Sequence, residues 1–121
     1  MALDLDALGD LPYCYLTTVG RTTGRERTVE IWFALRGATL YVLSGGGSRS
    51  NWVRNILRNP QVRVRLSEAV LPGTARLVQD GPEEPMARRL LLEKYQPTYG
   101  GDLSGWSRTS LPVAVDLADP A

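Results

Sequence analysis

The chain contains no histidine among its 121 residues. This absence excludes a Ser-His-Asp or Cys-His catalytic arrangement and any metal cage built with imidazole ligands. Its single cysteine, Cys14, cannot form an internal disulfide, and such cysteine usage is typical of a reducing compartment. With so few candidate ligands, we predict that the protein holds no metal and that an organic cofactor supplies any difficult chemistry.

Long apolar runs are also missing. The uncharged apolar segments are far shorter than the roughly 20 residues that a membrane-spanning helix needs. The first ten residues are acidic and lack the positive start of a secretory signal. Hydrophobic content of 43% and charged content of 22% are ordinary for a globular domain. We therefore expect one domain over residues 1–121, without stable membrane insertion and located in the cytoplasm.

Charge is balanced in total but uneven along the chain. The formal net charge of +1 gives no indication of a nucleic-acid partner. Arginines nevertheless concentrate between positions 21 and 65, where Glu26 and Glu30 are the only acids. Arg63 and Arg65 alternate with apolar residues and should face outward. The local excess of guanidinium groups suits an anionic small molecule.

The most informative segment, LSGGGSRSNWVRNILRNP at residues 43–60, reads as a strand end, a glycine loop and a short helix. Glycine allows a backbone to approach a ligand closely and to adopt positive φ. A helix starting near Ser50 would direct unpaired N–H groups and the positive end of its dipole toward the loop. This arrangement favours an anion. We therefore predict that the segment binds the phosphate of a cofactor.

Hydrophobic periodicity predicts the remaining elements. Strands are predicted at 12–18, 27–35, 39–44, 62–66, 69–78 and 111–117, with helices at 50–58 and 83–95 and a brief helical turn at 3–8. The segment 96–108 is predicted to be a loop with at most a fragment of helix, and such loops often act as lids. The last strand should close or edge the sheet. This order predicts a small barrel of about six mostly antiparallel strands with two to three helices outside.

Four motifs carry a resemblance to a known family. They are TTVGRxxGxxR at 17–27, SGGG at 44–47 followed by Trp52 and Asn55, GTAR at 73–76, and WxRTxLPV at 106–113. In this order they resemble the deazaflavin-dependent nitroreductase family of the split β-barrel flavin and deazaflavin oxidoreductases. The chain departs from that pattern at Thr22, where many relatives carry lysine, and in a shorter glycine loop.

The resemblance implies a mainly β (α+β) split β-barrel that holds coenzyme F-420, the 8-hydroxy-5-deazaflavin of actinobacteria and archaea. It implies hydride transfer to an electron-poor quinone, nitroaromatic or enone-like molecule. By position, the predicted cofactor contacts are Arg21, Arg27, Trp32, Leu43, Ser44, Gly45, Gly46, Gly47, Ser48, Arg49, Asn51, Trp52 and Asn55. The predicted substrate wall consists of Tyr95, Tyr99 and Trp106, and no catalytic residue is assigned because solvent or a tyrosine can protonate the product.

Two of these residues admit a second interpretation. Trp32 leaves the main apolar stripe of its strand, so it either forms an outer layer under a helix or lines the pocket. Asn55 lies on nearly the same helical face as Trp52, and its amide either satisfies loop backbone, which is slightly favoured, or binds the cofactor.

Other functions are compatible with the same barrel. FMN could replace coenzyme F-420, with its phosphate at the same loop. A non-catalytic module that carries a cofactor or a tetrapyrrole is a further alternative, although the missing histidine disfavours haem. RNA binding through the Arg/Gly segment is disfavoured. A small-molecule electron acceptor is the expected partner, and a homodimer is compatible with the sequence.

Overall fold

The computed structural model describes residues 5–118. Within them the chain forms α1 (Leu5–Leu8), β1 (Cys14–Val19), β2 (Glu26–Ile31), β3 (Ala34–Arg36), β4 (Thr39–Ser44), α2 (Asn51–Arg58), β5 (Gln61–Leu66), β6 (Ala69–Leu77), α3 (Glu83–Tyr95), α4 (Ser104–Thr109) and β7 (Leu111–Leu117). Single 3₁₀ turns precede α2 and follow α3. Positions 3 and 4 of the predicted first helical turn lie outside the described residues.

The strands form one antiparallel sheet in the order β2-β1-β5-β6-β7-β4-β3, which curls into a half-barrel. The predicted mainly β class with peripheral helices is therefore confirmed, with seven strands in residues 5–118 instead of about six. The prediction that the last strand closes or edges the sheet is wrong, because β7 lies between β6 and β4. Its side chains are buried on both faces, as a central strand requires.

The predicted strand over residues 27–35 is divided into β2 and β3. β2 pairs with β1 and β3 pairs with β4, so the chain changes partners at Trp32 and Phe33. Phe33 enters the barrel interior, whereas Trp32 packs on the opposite side of the sheet. Because β2 and β3 are the two ends of the strand order, a gap remains between β2 and the last residues of β4.

Two apolar cores lie on opposite faces of the sheet. The interior core contains Leu16 and Phe33 and is plugged by Val53 and Ile56 of α2. The second core lies between the outer face of β3, β4 and β7 and the helices α3 and α4. Leu57 of α2 is 59% exposed, so it does not contribute to the packing of this helix on the barrel.

Gly73 of β6 lies in close contact with β7. A methyl group there would meet Val115 Cγ1 at 2.6 Å and Asp116 O at 3.1 Å. We expect Gly73→Ala to lower the free energy of unfolding by about 1–3 kcal/mol, because overpacking a buried contact forces neighbours to shift. Urea unfolding measures this difference.

The matched control is Gly100→Ala, whose added methyl group would meet no atom within 4 Å. We expect it to change the free energy of unfolding by no more than about 0.5–1 kcal/mol in either direction. Equal effects of the two substitutions would contradict the close packing of β6 against β7.

Candidate functional site

A cleft of about 390 Å³ opens between the β1–β2 hairpin and the start of α2. We call it the arginine cleft. It is lined by Gly20, Arg21, Thr22, Thr23, Arg27, Thr28, Val29, Asn51, Trp52 and Asn55. Its charged lining residues are both arginines, and no carboxylate is among them. The cleft is therefore suited to an anion.

The hairpin that carries both arginines is closed by backbone hydrogen bonds. Gly20 N donates to Arg25 O at 2.7 Å, and Gly24 N donates to Gly20 O at 2.9 Å. Gly24 adopts φ +71°, a left-handed conformation that glycine accepts without a steric penalty. This tight return places Arg21 and Arg27 on the same cleft although six positions separate them.

Arg21 is held in place by α2. Its backbone N–H and its Nη1 donate to Asn55 Oδ1 at 3.2 and 2.9 Å, and its Nη2 donates to Asn51 Oδ1 at 3.3 Å. Asn55 Nδ2 donates to Thr18 Oγ1 at 3.0 Å, and both of these residues are buried. The Asn55 amide is thus engaged by protein groups, as the favoured interpretation expected, and it positions Arg21 rather than presenting a free donor.

Arg27 differs from Arg21 because its guanidinium has no hydrogen-bond or ion-pair partner within residues 5–118. It follows Glu26, whose carboxylate pairs with Arg63 on the outer face of the sheet. Arg27 shares the inward-facing side of β2 with Val29 but lies at the open end of the strand. A free guanidinium beside a carboxylate-free cleft offers bidentate contact to phosphate or carboxylate.

The start of α2 adds backbone donors to the cleft. Arg54 N is the first helical amide to bond a carbonyl, at 3.0 Å from Ser50 O. The amides of residues 51–53 make no hydrogen bond within the described part of the chain, and Asn51 and Trp52 line the cleft. Ser50 occupies the N-cap position of α2, but its hydroxyl does not bond the helix. The positive end of the helix dipole therefore remains uncapped beside the two arginines.

The glycine loop, which the sequence predicts to bind a phosphate, does not line the arginine cleft. Ser44 Oγ donates to Gly47 O at 2.9 Å and lies 2.7 Å from Ser50 Oγ, so the loop closes on itself. Gly46 backs onto the same serine, since an added Cβ would come within 2.6 Å of Ser50 Oγ. Six of the predicted cofactor contacts therefore do not line the cleft: Ser44, Gly45, Gly46, Gly47, Ser48 and Arg49.

A second cavity of about 270 Å³ adjoins the cleft along β2, and we call it the aromatic slot. It is lined by Glu30, Ile31, Trp32, Leu43 and Trp106. The β3–β4 register pairs Ala34 with Tyr41, and extending it by two residues places Trp32 beside Leu43. The slot therefore occupies the narrow end of the gap where the barrel is split. Trp106, a residue of the predicted substrate wall, is among its lining residues.

Trp32 is both an outer-layer residue and a wall of the slot. Its ring stacks on Tyr95 at 4.3 Å with an interplanar angle of 6°, and the rings of Trp106 and Tyr99 meet it edge-on at 5.5 and 5.8 Å. The Tyr95 hydroxyl accepts a hydrogen bond from Phe33 N at 2.9 Å. Burial raises the pKa of Tyr95 to about 12.

The three aromatic residues of the predicted substrate wall take different positions around the slot. Tyr95 lies behind Trp32 and supports it, because its ring is covered by Trp32 and its hydroxyl is bonded to backbone. Tyr99 is half exposed and touches the edge of Trp32 but does not line the slot. Of the three aromatic residues proposed for this role, the slot itself contains Trp106.

Sequence reasoning did not identify Lys94 and Arg88, which hydrogen-bond to the backbone near the slot-lining residues Trp32 and Trp106. Lys94 Nζ donates to Phe33 O at 2.9 Å and lies 3.7 Å from the centre of the Phe33 ring, and burial lowers the pKa of Lys94 to about 8. Arg88 Nη1 donates to Ser107 O and Ser110 O at 2.8 and 2.7 Å, which caps the helix that carries Trp106. No local pattern marks either contact, since both partners lie distant in sequence.

Residues 5–118 contain neither a candidate metal site nor a candidate membrane-spanning helix. Within residues 5–118, no three or more of the side chains His, Cys, Asp and Glu lie together as a metal site would need. None of the helices in this range combines the length and apolar character needed to cross a membrane. Cys14 is buried, and burial raises its pKa to about 12, so its thiol is not poised as a nucleophile.

Asn55 generates a prediction about the integrity of the cleft. We expect Asn55→Ala to lower the free energy of unfolding by about 1–3 kcal/mol, because it leaves buried partners of the amide unsatisfied. Asn51→Ala removes an exposed side chain with a single longer contact to Arg21, and it should change this free energy by about 0.5 kcal/mol or less. Urea unfolding of both variants tests the difference, and similar losses would contradict the special role of Asn55.

Comparison with known proteins agrees with this architecture. The sequence model of the F420H(2)-dependent quinone reductase family matches residues 6–118. The solved structure of an F420-H2 dependent reductase is 25% identical, with a TM-score of 0.70 over 86% of this chain and 93% of that one. A structure described as a domain-swapped dimer is 26% identical, with a TM-score of 0.70 over 86% and 79% of the two chains.

A more distant neighbour shows how widely the fold is used. The heme storage protein HutZ of Vibrio cholerae is 17% identical, with a TM-score of 0.74 over 98% of this chain and 92% of that one. At this identity the likeness concerns the fold alone. The resemblance identified from the sequence motifs is confirmed at the level of a deazaflavin-dependent reductase family.

Proposed function

The chain belongs to the F420H(2)-dependent quinone reductase family, and we propose that it transfers a hydride from reduced coenzyme F-420 to an electron-poor small molecule. A quinone, a nitroaromatic or an enone-like compound would serve as acceptor. One observation supports the proposal above all others. A carboxylate-free arginine cleft and an aromatic slot are lined by successive residues of β2, a strand that has a partner on one side only within residues 5–118.

The residues of the cleft fit the anionic part of such a cofactor. The guanidinium of Arg27 has no hydrogen-bond or ion-pair partner within residues 5–118, and the first amides of α2 are uncapped beside it. Arg21 is already oriented toward the same space by Asn55. We propose that these groups, with Asn51 and Trp52, hold the phosphate and carboxylates of coenzyme F-420. A preorganised guanidinium binds with a smaller entropic cost than a mobile one.

The slot fits the flat part of the reaction partners. Trp32 and Trp106 meet edge to face at 5.5 Å, and Leu43 and Ile31 close the adjacent walls. Such walls orient a planar acceptor and exclude water from one side of it. When bound, the reduced deazaflavin supplies the hydride. The protein's own contribution is binding, orientation and partial exclusion of solvent.

We further propose that solvent delivers the proton that completes the reduction. The Tyr95 hydroxyl donates to backbone carbonyls at Pro12 and Phe33, and its pKa is raised to about 12 by burial. It is therefore directed away from the slot. Tyr99 is exposed beside the slot without lining it. A substitution of Tyr99 by Phe should accordingly leave turnover nearly unchanged.

The experiment that tests the function is a comparison of cofactors on purified protein. Absorption and fluorescence titrations with coenzyme F-420, FMN and haem measure which of them binds. Reduced coenzyme F-420 is then mixed with a quinone, and its oxidation is followed with and without protein. We expect binding of coenzyme F-420 and quinone-dependent oxidation. Tight binding of FMN or haem without binding of coenzyme F-420 would overturn the proposal. It would favour an FMN-dependent reductase or a non-catalytic tetrapyrrole-binding module, respectively.

Arg27 provides the sharpest test of the cleft. We expect Arg27→Ala to raise the dissociation constant of coenzyme F-420 by about 10- to 100-fold, because a charge-assisted hydrogen bond to the anion is lost. The free energy of unfolding should stay nearly constant, since Arg27 has no partner within residues 5–118. Fluorescence titration at two salt concentrations measures both the affinity and its electrostatic part.

Arg25→Ala is the matched control. Arg25 lies two residues earlier in the same hairpin, is exposed, and does not line the cleft. It carries the same charge, so it reports any general effect of the local positive potential. We expect a change in the dissociation constant of about 2- to 3-fold or less, as for a screened surface charge. Equal effects of the two variants would contradict a direct contact between Arg27 and the cofactor, and would indicate only a general electrostatic attraction.

Location and assembly also remain predictions. We propose a cytoplasmic protein, because a single cysteine is typical of a reducing compartment. A homodimer gains support from the 26% identical structure described as a domain-swapped dimer. Light scattering on the purified protein measures the assembly directly.

A further inference from the structure

The two adjoining cavities have opposite charge. The arginine cleft contains two guanidinium groups and no acid, whereas the aromatic slot contains one carboxylate, Glu30, and no base. The proposed function uses the arginines and the aromatic walls but gives Glu30 no role. Glu30 is an exposed side chain at the edge of this small cavity, and a charge at that position bears directly on which molecules enter it.

Glu30 retains part of its hydrogen-bonding capacity. The Tyr15 hydroxyl donates to Glu30 Oε1 at 3.1 Å, and no arginine or lysine forms an ion pair with Glu30 within residues 5–118. The guanidinium of Arg65 lies 4.2 Å above the Tyr15 ring and donates to Ser67 O instead of bonding the carboxylate. The charge of Glu30 is therefore not cancelled by an ion pair.

The neighbouring acid on the same face of β2 shows the contrast. Glu26 lies four residues earlier, and its carboxylate pairs directly with Arg63 of β5. Its pKa is lowered, chiefly by the hydrogen bond from Arg63. Glu26 does not line the slot. The strand thus carries one neutralised acid outside the cavities and one unpaired acid at the slot.

We propose that Glu30 selects acceptors by charge, so that the slot admits uncharged or cationic flat molecules and rejects those that carry a sulfonate or carboxylate. This inference rests on the proposed function and names the class of acceptor. Two effects act together. The carboxylate repels an anion a few ångströms away, and the electron-rich face of an indole such as Trp106 attracts cations and not anions.

The test compares a neutral and an anionic acceptor of the same ring size. Menadione and 1,4-naphthoquinone-2-sulfonate are two-ring quinones small enough for the slot. For each protein, kcat/KM is measured with both quinones and expressed as the ratio of anionic to neutral acceptor. The intrinsic reactivities of the quinones cancel when the ratio of a variant is divided by that of the wild type.

We expect Glu30→Gln to raise this ratio about 5-fold, the size expected for removal of one like charge from a solvent-open site. Glu26→Gln removes the same charge from the same strand face and should leave the ratio within about 2-fold, because that acid is paired and lies outside the slot. An unchanged ratio in Glu30→Gln, or equal changes in both variants, would overturn the inference.

A binding measurement separates this inference from the proposed function. Quinones quench tryptophan fluorescence on contact, and Trp32 and Trp106 line the slot. Without cofactor, Glu30→Gln should lower the dissociation constant of the sulfonated quinone about 5-fold and leave that of menadione unchanged. If this shift is observed but the wild-type protein shows no turnover, the reductase proposal is overturned while the charge selection by Glu30 stands. If Glu30→Gln changes the affinity for coenzyme F-420 but not for the sulfonated quinone, Glu30 faces the cofactor. That result would overturn the proposal that Glu30 selects acceptors.

Discussion

The architecture of the site depends on the way α3 holds the backbone of one residue, Phe33, through both of its polar groups. Its N–H is bound by the Tyr95 hydroxyl and its carbonyl by Lys94, at 2.9 Å in each case. At this point the chain leaves β1 and joins β4, so the barrel splits instead of closing. The ring of the same Tyr95 stacks on Trp32, which lines the aromatic slot. Tyr95 therefore holds both the backbone at the strand change and one wall of the slot.

The wide end of the gap depends on a different buried contact. Asn55 connects Thr18 of β1 with the hairpin residue Arg21, and it lies on the helix that plugs the interior core. The amide therefore joins three elements whose relative positions define the arginine cleft. Burying an amide is costly unless every polar atom is paired, and both groups of Asn55 are paired. Stability and the orientation of the cleft consequently arise from the same hydrogen bonds.

Much of this fold follows from periodicity, and the failures have physical causes. The alternation from Val29 to Leu35 continues without interruption through Trp32 and Phe33, so it cannot show that the strand changes partners there. The glycine loop followed by a helix is a true signal of a helix start, but it does not say which way the loop faces. Here the Ser44 and Ser50 hydroxyls close the loop on itself. Arg27 was found from its place in the hairpin motif, whereas Lys94 acts through a contact 61 residues away.

The spacing of charges along β2 explains how one strand can serve two cavities of opposite sign. Arg27 and Glu30 are three residues apart, and an odd separation places side chains on opposite faces of a strand. Three residues also correspond to roughly 10 Å along the strand, about the distance at which salt screens exposed charges. The two groups therefore do not neutralise each other. An even spacing of two residues would have placed them side by side on one face, where an ion pair between them would leave the slot without net charge and the cleft with the charge of Arg21 alone.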